Sequence, residues 1–165
     1  MAGPVTDARA YELRGRYGEL FGGSLVPVPV EAIAEDYLGL SVTEAELYGV
    51  SGLLYPAERA VFLNVAEVPA RRRFTLAHEL GHWVCQCLDG TEAPVFCRAE
   101  EVGLDPAVKA LEREANVFAA ELLMPEDEVR AAWEGDPDAS AARFGVSGEA
   151  MRWRLYSFGL GDPPV

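Results

Sequence analysis

Two histidines and three cysteines are all the chain holds of either residue, and each shortage removes a class of explanation. Cys85, Cys87 and Cys97 are too few, and too oddly numbered, to form the disulfide framework of a small secreted domain. They fit a reducing compartment. Nowhere does the sequence approach the run of about 18 apolar residues that a membrane span requires. Met1 to Leu20 mixes Asp7, Arg9, Glu12, Arg14, Arg16 and Glu19 with scattered apolar residues, so it lacks the apolar stretch of a signal peptide. A soluble cytoplasmic protein is expected. Basic charge is also short: 14 Lys and Arg against 27 Asp and Glu leave a formal net charge of −13. Free nucleic acid binds mainly through neutralised phosphates, so direct DNA binding is disfavoured and a basic segment of another protein is the better partner. No internal repeat is visible. With 165 residues, 50% of them apolar, the chain suffices for one domain, residues 1–165, with a proper core.

What is present concentrates in Arg73-Phe-Thr-Leu-Ala-His78-Glu79-Leu-Gly-His82-Trp83, which places both histidines four residues apart. On an α-helix these positions lie about 40° from each other and one turn apart, so two imidazoles can share one metal ion. Glu79 projects at the edge of that face, within reach of a metal-bound water without being a ligand. Leu76, Leu80, Trp83, Val84 and Cys87 gather on the opposite side, as expected of a helix between a core and a cleft. Gly81 is costly in a helix interior by about 1 kcal/mol relative to alanine, which predicts close packing there. Cys85 falls near the histidine face of the wheel and is a rival ligand.

Apolar spacing predicts a first helix over residues 6 to 20, ended by Gly22-Gly23-Ser24, and a second from Val30 to Leu38 after Pro29. Leu40 to Val42 reads as a short strand. Gly52 to Tyr55 and Ala60 to Val65 read as a hairpin joined by Pro56-Ala-Glu-Arg59. An exposed edge of that sheet can hold an extended peptide. Val68-Pro69 opens the helix of the histidines. Arg71, Arg72 and Arg73 in its first turn oppose the macrodipole and are read as partners of nearby carboxylates. Residues 88 to 104 read as an irregular loop.

A helix from Pro106 should supply what two histidines lack, since catalytic zinc takes three protein ligands and a water, with His, His and Glu as one established set. Its stripe of Val108, Leu111, Ala115, Phe118, Ala119, Leu122 and Leu123 offers Glu112, Glu114 and Glu121 as candidates. Glu112 falls inside the stripe, Glu114 about 40° beyond its edge, and Glu121 further out. A carboxylate carried inward needs a counter-charge, which a divalent metal provides. Asn116, one turn later, can accept the free N–H of a ligating histidine. Met124-Pro125 ends the helix. Residues 139–160 resemble a helix-turn-helix with Gly145 in the turn and Ser147 as N-cap. Arg143, Arg152 and Arg154 give it a slight basic bias, but the charge of the whole chain favours a packing unit over autonomous DNA binding.

Taken together, Arg73 to His82, Glu112 to Pro125 and the tail from Phe144-Gly-Val-Ser147 to Leu155 resemble the ImmA/IrrE metallopeptidase family. The resemblance implies an α+β, zincin-like domain of the gluzincin type: a small mostly antiparallel sheet, an HExxH active-site helix, and C-terminal helices. It also implies one zinc ion held by His78, His82 and Glu112, with Glu79 as the catalytic glutamate. Members of the family are associated with cleavage of helix-turn-helix repressors and related regulators. Many also carry an N-terminal helix-turn-helix domain, for which Met1 to Leu20 is too short, so a regulatory target is expected to be a separate protein. A zinc endopeptidase acting on a regulatory protein is therefore expected, with Tyr48 or Tyr55 as candidates to steady the oxyanion. Two rivals make different predictions. A non-catalytic metal-dependent sensing or interaction module would close the fourth coordination position, with Cys85 as one way to do so, and a DNA-associated regulator would bind duplex with strong salt dependence.

Overall fold

The computed structural model describes residues 7–23, 25–87, 95–97 and 105–165. Helix α1, Ala8–Phe21, opens at Asp7, whose carboxylate accepts the Arg9 amide at 2.9 Å, and stops at Gly22. Helix α2, Val30–Ala32, runs directly into a π-helical turn, Ile33–Tyr37, where one regular helix is expected. Arg59 closes that turn by donating to the Leu38 and Gly39 carbonyls, satisfying acceptors that a helix end leaves open.

Among the described residues four short strands follow the order β1-β3-β2-β4: β1 Ser41–Ala45, β2 Gly52–Tyr55, β3 Ala60–Asn64 and β4 Val95–Cys97. β2 runs antiparallel to both β3 and β4, and β1 lies parallel to β3, so the sheet is mostly antiparallel with one parallel pair. β4 corrects the reading of residues 88 to 104 as wholly irregular. Three residues carry too little alternation to be read as a strand, and the pairing with β2 that makes them one is tertiary. The remainder of that segment lies outside the described residues.

Helix α3, Pro69–His82, starts with Val68 as N-cap and Pro69 in its first turn, and continues as a π turn, Trp83–Cys87. It lies between the sheet and helix α4, Pro106–Leu123, which Asp105 caps by accepting the Ala107 amide at 2.8 Å. Gly81 marks where the two helices touch: a Cβ there would sit 3.0 Å from both the Cα and the carbonyl oxygen of Ala115. Backbone atoms cannot swing aside, so overpacking of about 1–3 kcal/mol outweighs the roughly 1 kcal/mol that alanine gains in helix propensity. Gly81→Ala is therefore expected to lower the urea midpoint at unchanged slope, and a raised midpoint would show that the seam is loose.

Helix α5, Glu126–Ala132, follows Met124-Pro125 and was not legible as a separate element. Helices α6, Pro137–Phe144, and α7, Gly148–Ser157, turn about Gly145 (φ 67°), with Ser147 accepting the Ala150 amide at 3.1 Å. Phe144, Met151, Leu155 and Phe158 belong to the same apolar core as Leu76, Leu80 and Phe118, so the tail packs as part of the body. Among the described residues no helix is long and apolar enough to cross a membrane.

Three expectations are corrected by this packing. Glu121, placed outward by the wheel, is buried against α7 and forms an ion pair with Arg154 at 2.5 Å. Arg154, counted toward a basic surface, is buried as well and also donates to the Met124 carbonyl at 2.9 Å. Val108 and Leu111, assigned to the buried stripe, are exposed because the first turns of α4 extend past the core. Of the arginine triplet, Arg72 pairs with Glu44 at 2.9 Å and Arg71 approaches Glu67 at 3.8 Å. Arg73 departs from the pattern: its guanidinium donates to the carbonyls of Val28, Phe144 and Gly145, tying the start of α3 to the tail.

Candidate metal centre

The i, i+4 spacing on α3 and the close approach at Gly81 bring His78, His82 and Glu112 together, all buried. Their ligand atoms lie within 4.8 Å of one another. His78 Nε2 stands 3.0 Å from Glu112 Oε2, His82 Nε2 stands 3.0 Å from Glu112 Oε1, and the two Nε2 atoms are 3.0 Å apart. Each imidazole is held from behind: His78 Nδ1 meets Asn116 Oδ1 at 2.8 Å, and His82 Nδ1 meets Gln86 Oε1 at 2.6 Å.

These outer contacts decide the chemistry. An amide oxygen only accepts, so each Nδ1 carries the hydrogen and each Nε2 turns its lone pair inward. Two imidazole nitrogens and two carboxylate oxygens then meet with no hydrogen of their own between them, an arrangement that needs positive charge at its centre. A proton can serve. Burial opposes charge on His82, yet contact with Glu112 and the nearby Glu79 carboxylate, helped by Gln86, raises its pKa above the usual histidine value. Burial would likewise raise Glu112, but its close contacts with His78 and His82 hold it down, to about 2. A divalent cation answers the same demand better, and two nitrogens with a carboxylate are donors that zinc accepts.

Glu79 is fully buried, and neither carboxylate oxygen has a hydrogen-bond partner. Burial pushes its pKa up to about 8, with Glu112 adding to the rise and His82 opposing it. Leaving a buried carboxylate without a partner is costly, and such an expense is characteristic of functional sites.

The other candidates lie elsewhere. Glu114 faces Arg9 at 3.6 Å, and Glu121 is committed to Arg154. Cys85 stands outside the ligand cluster, and burial lifts its thiol to about 12, with Arg9, Asp7 and Glu114 as the charges that act on it. The wheel placed Cys85 beside the histidines because it assumed a 100° step, which fails past His82 where the π turn begins. Tyr48 is 91% exposed, and Tyr55 packs edge-on against Phe62. Gln86 was missed. Its signal was available, since it follows His82 by four residues, the same spacing that joins the two histidines; its amide nitrogen also donates to the Leu111 carbonyl at 3.0 Å, fixing it between α3 and α4.

Comparison with known proteins shows which family the chain resembles. The radiation response metalloprotease IrrE of Deinococcus radiodurans is 33% identical over 100 residues, which is 61% of this chain and 27% of that protein. The radiation response metalloprotease IrrE of Deinococcus deserti is 28% identical over 144 residues, 87% of this chain and 46% of that protein. The chain thus spans between about a quarter and a half of the length of these relatives. A Mycobacterium tuberculosis transcriptional regulator of known structure superposes with a TM-score of 0.64 at 22% identity, covering 91% of this chain and 47% of that one, a likeness of fold. The family model for the IrrE N-terminal-like domain matches residues 35–156, a span that includes the histidines, Glu79, Glu112 and Asn116. The chain belongs to the peptidase family of IrrE N-terminal-like domains.

Proposed function

We propose that the protein is a zinc-dependent endopeptidase acting on a regulatory protein, a helix-turn-helix repressor being the target class that its family suggests. The observation that carries this reading is the pairing of a three-ligand cluster, His78, His82 and Glu112, with an unpartnered buried carboxylate, Glu79, beside it. When bound, a zinc ion there supplies Lewis acidity toward the scissile carbonyl and brings the pKa of water to around 7. Glu79 takes a proton from the attacking water and returns it to the leaving amine. Desolvation makes its carboxylate a stronger base than an exposed glutamate.

Asn116 and Gln86 hold the imidazole rings in orientation and tautomer. Asn116→Ala and Gln86→Ala are each expected to weaken metal affinity by roughly 10–100-fold, read by competition with a chromophoric chelator. Unchanged affinity in both would mean that the rings are held by packing alone. The shared apolar core from α1 to α7 supports treating residues 1–165 as one domain, with the tail as part of its body. The net charge of −13 suits a substrate with basic segments, such as a DNA-binding regulator. Co-expression with the repressor-like protein encoded nearest tests the reading: the wild type should generate a defined fragment that Glu79→Gln does not. An intact partner alongside zinc-loaded wild type would reject that target.

A further inference from the structure

Strand β2 crosses helix α3 at Gly52, and the volume a side chain would take there is occupied from the helix. A Cβ on Gly52 would lie 2.5 Å from Thr75 Cγ2, 3.2 Å from Glu79 Oε1 and 3.4 Å from the Phe62 carbonyl oxygen. Thr75 and Glu79 are one helical turn apart, and both are buried. Gly52 is not among the glycines with positive φ, so its backbone conformation does not require glycine. It is also held on both sides, paired with Leu63 of β3 and Cys97 of β4, which leaves the strand little freedom to retreat. Space is what the missing side chain provides.

The consequence falls on Glu79. Its oxygens accept no hydrogen bond from the protein, so the walls packed against it do most to set where the carboxylate rests. We propose that Gly52 is a positioning residue: its bare Cα forms the slot that seats the Glu79 carboxylate beside His78 and His82, and filling the slot moves that carboxylate. The proposal rests on the peptidase reading for its catalytic consequence, while the placement of Glu79 can be read without any substrate.

The two crowded contacts allow stability and placement to be separated. Thr75→Ser removes the methyl group that a new Cβ would strike first, yet leaves the contact with Glu79. Four proteins are compared: wild type, Thr75→Ser, Gly52→Ala and the double variant. Each is read for melting temperature, zinc per chain, kcat and KM on one cleaved substrate, and the ¹³Cδ resonance of Glu79, assigned by its loss in Glu79→Gln. In the double variant the melting temperature should return toward that of Thr75→Ser and zinc should stay at one per chain. The kcat should remain down on the order of 10²-fold with little change in KM, and the Glu79 resonance should be displaced. Recovery of kcat together with stability, or an unmoved resonance, would overturn the proposal. Should zinc-loaded wild type cleave nothing, the peptidase reading fails by itself; the resonance then decides the placement, displaced if Gly52 seats Glu79 and unmoved if it does not.

Discussion

Glu79→Gln is expected to lower kcat by roughly 10²–10⁴-fold while retaining zinc and substrate affinity. The substitution preserves shape and removes only the ability to accept and return a proton. Glu79 makes no hydrogen bond to either histidine or to Glu112, so the cluster keeps its geometry when the carboxylate becomes an amide. Burial already raises the Glu79 pKa to about 8, so the amide replaces a largely neutral group and the variant is expected to melt close to the wild-type temperature. Loss of turnover at unchanged stability is a pattern that a merely structural residue does not give. If single-turnover assays find hydrolysis within a few-fold of wild type, the proton acceptor is another group.

Arg154→Met is expected to cost about 3–5 kcal/mol, because it leaves Glu121 charged and buried without its partner. Both side chains are 7% exposed and meet at 2.5 Å, and Arg154 also caps the Met124 carbonyl at the end of α4. For a chain of this length the melting temperature should fall by roughly 6–20 °C. The double variant Glu121→Met/Arg154→Met removes both charges and should recover most of that loss, since a buried pair is often worth little against well-packed apolar residues. A single variant as stable as the double would mean that Glu121 finds water or another cation. Arg154 touches none of the ligand residues, so zinc per chain should be unchanged well below the melting temperature.

The placement of the two histidines and Glu79 on one helix was legible because a helical repeat of four is a local property, and α3 keeps regular geometry up to His82. Glu112 and Asn116 were legible for another reason: a carboxylate on an inward stripe demands a partner, and the stripe itself is written in the apolar residues of α4. Gly81 announced the seam that joins the two helices. Failures occurred where local geometry changed or where another element decided the outcome. The π turn after His82 displaced Cys85. Glu121 and Arg154 could be placed only by knowing that α7 folds back onto α4. β4 exists through its pairing with β2, and the role of Gly52 emerges only when α3 is laid against that strand.

Metal content per chain, determined by mass spectrometry on zinc-reconstituted and dialysed protein, tests the central claim most directly. The wild type, Glu79→Gln and Cys85→Ser should each retain one ion, and Glu112→Ala should retain none. Full occupancy of Glu112→Ala, or loss of the ion in Cys85→Ser, would contradict the assignment of the site to His78, His82 and Glu112.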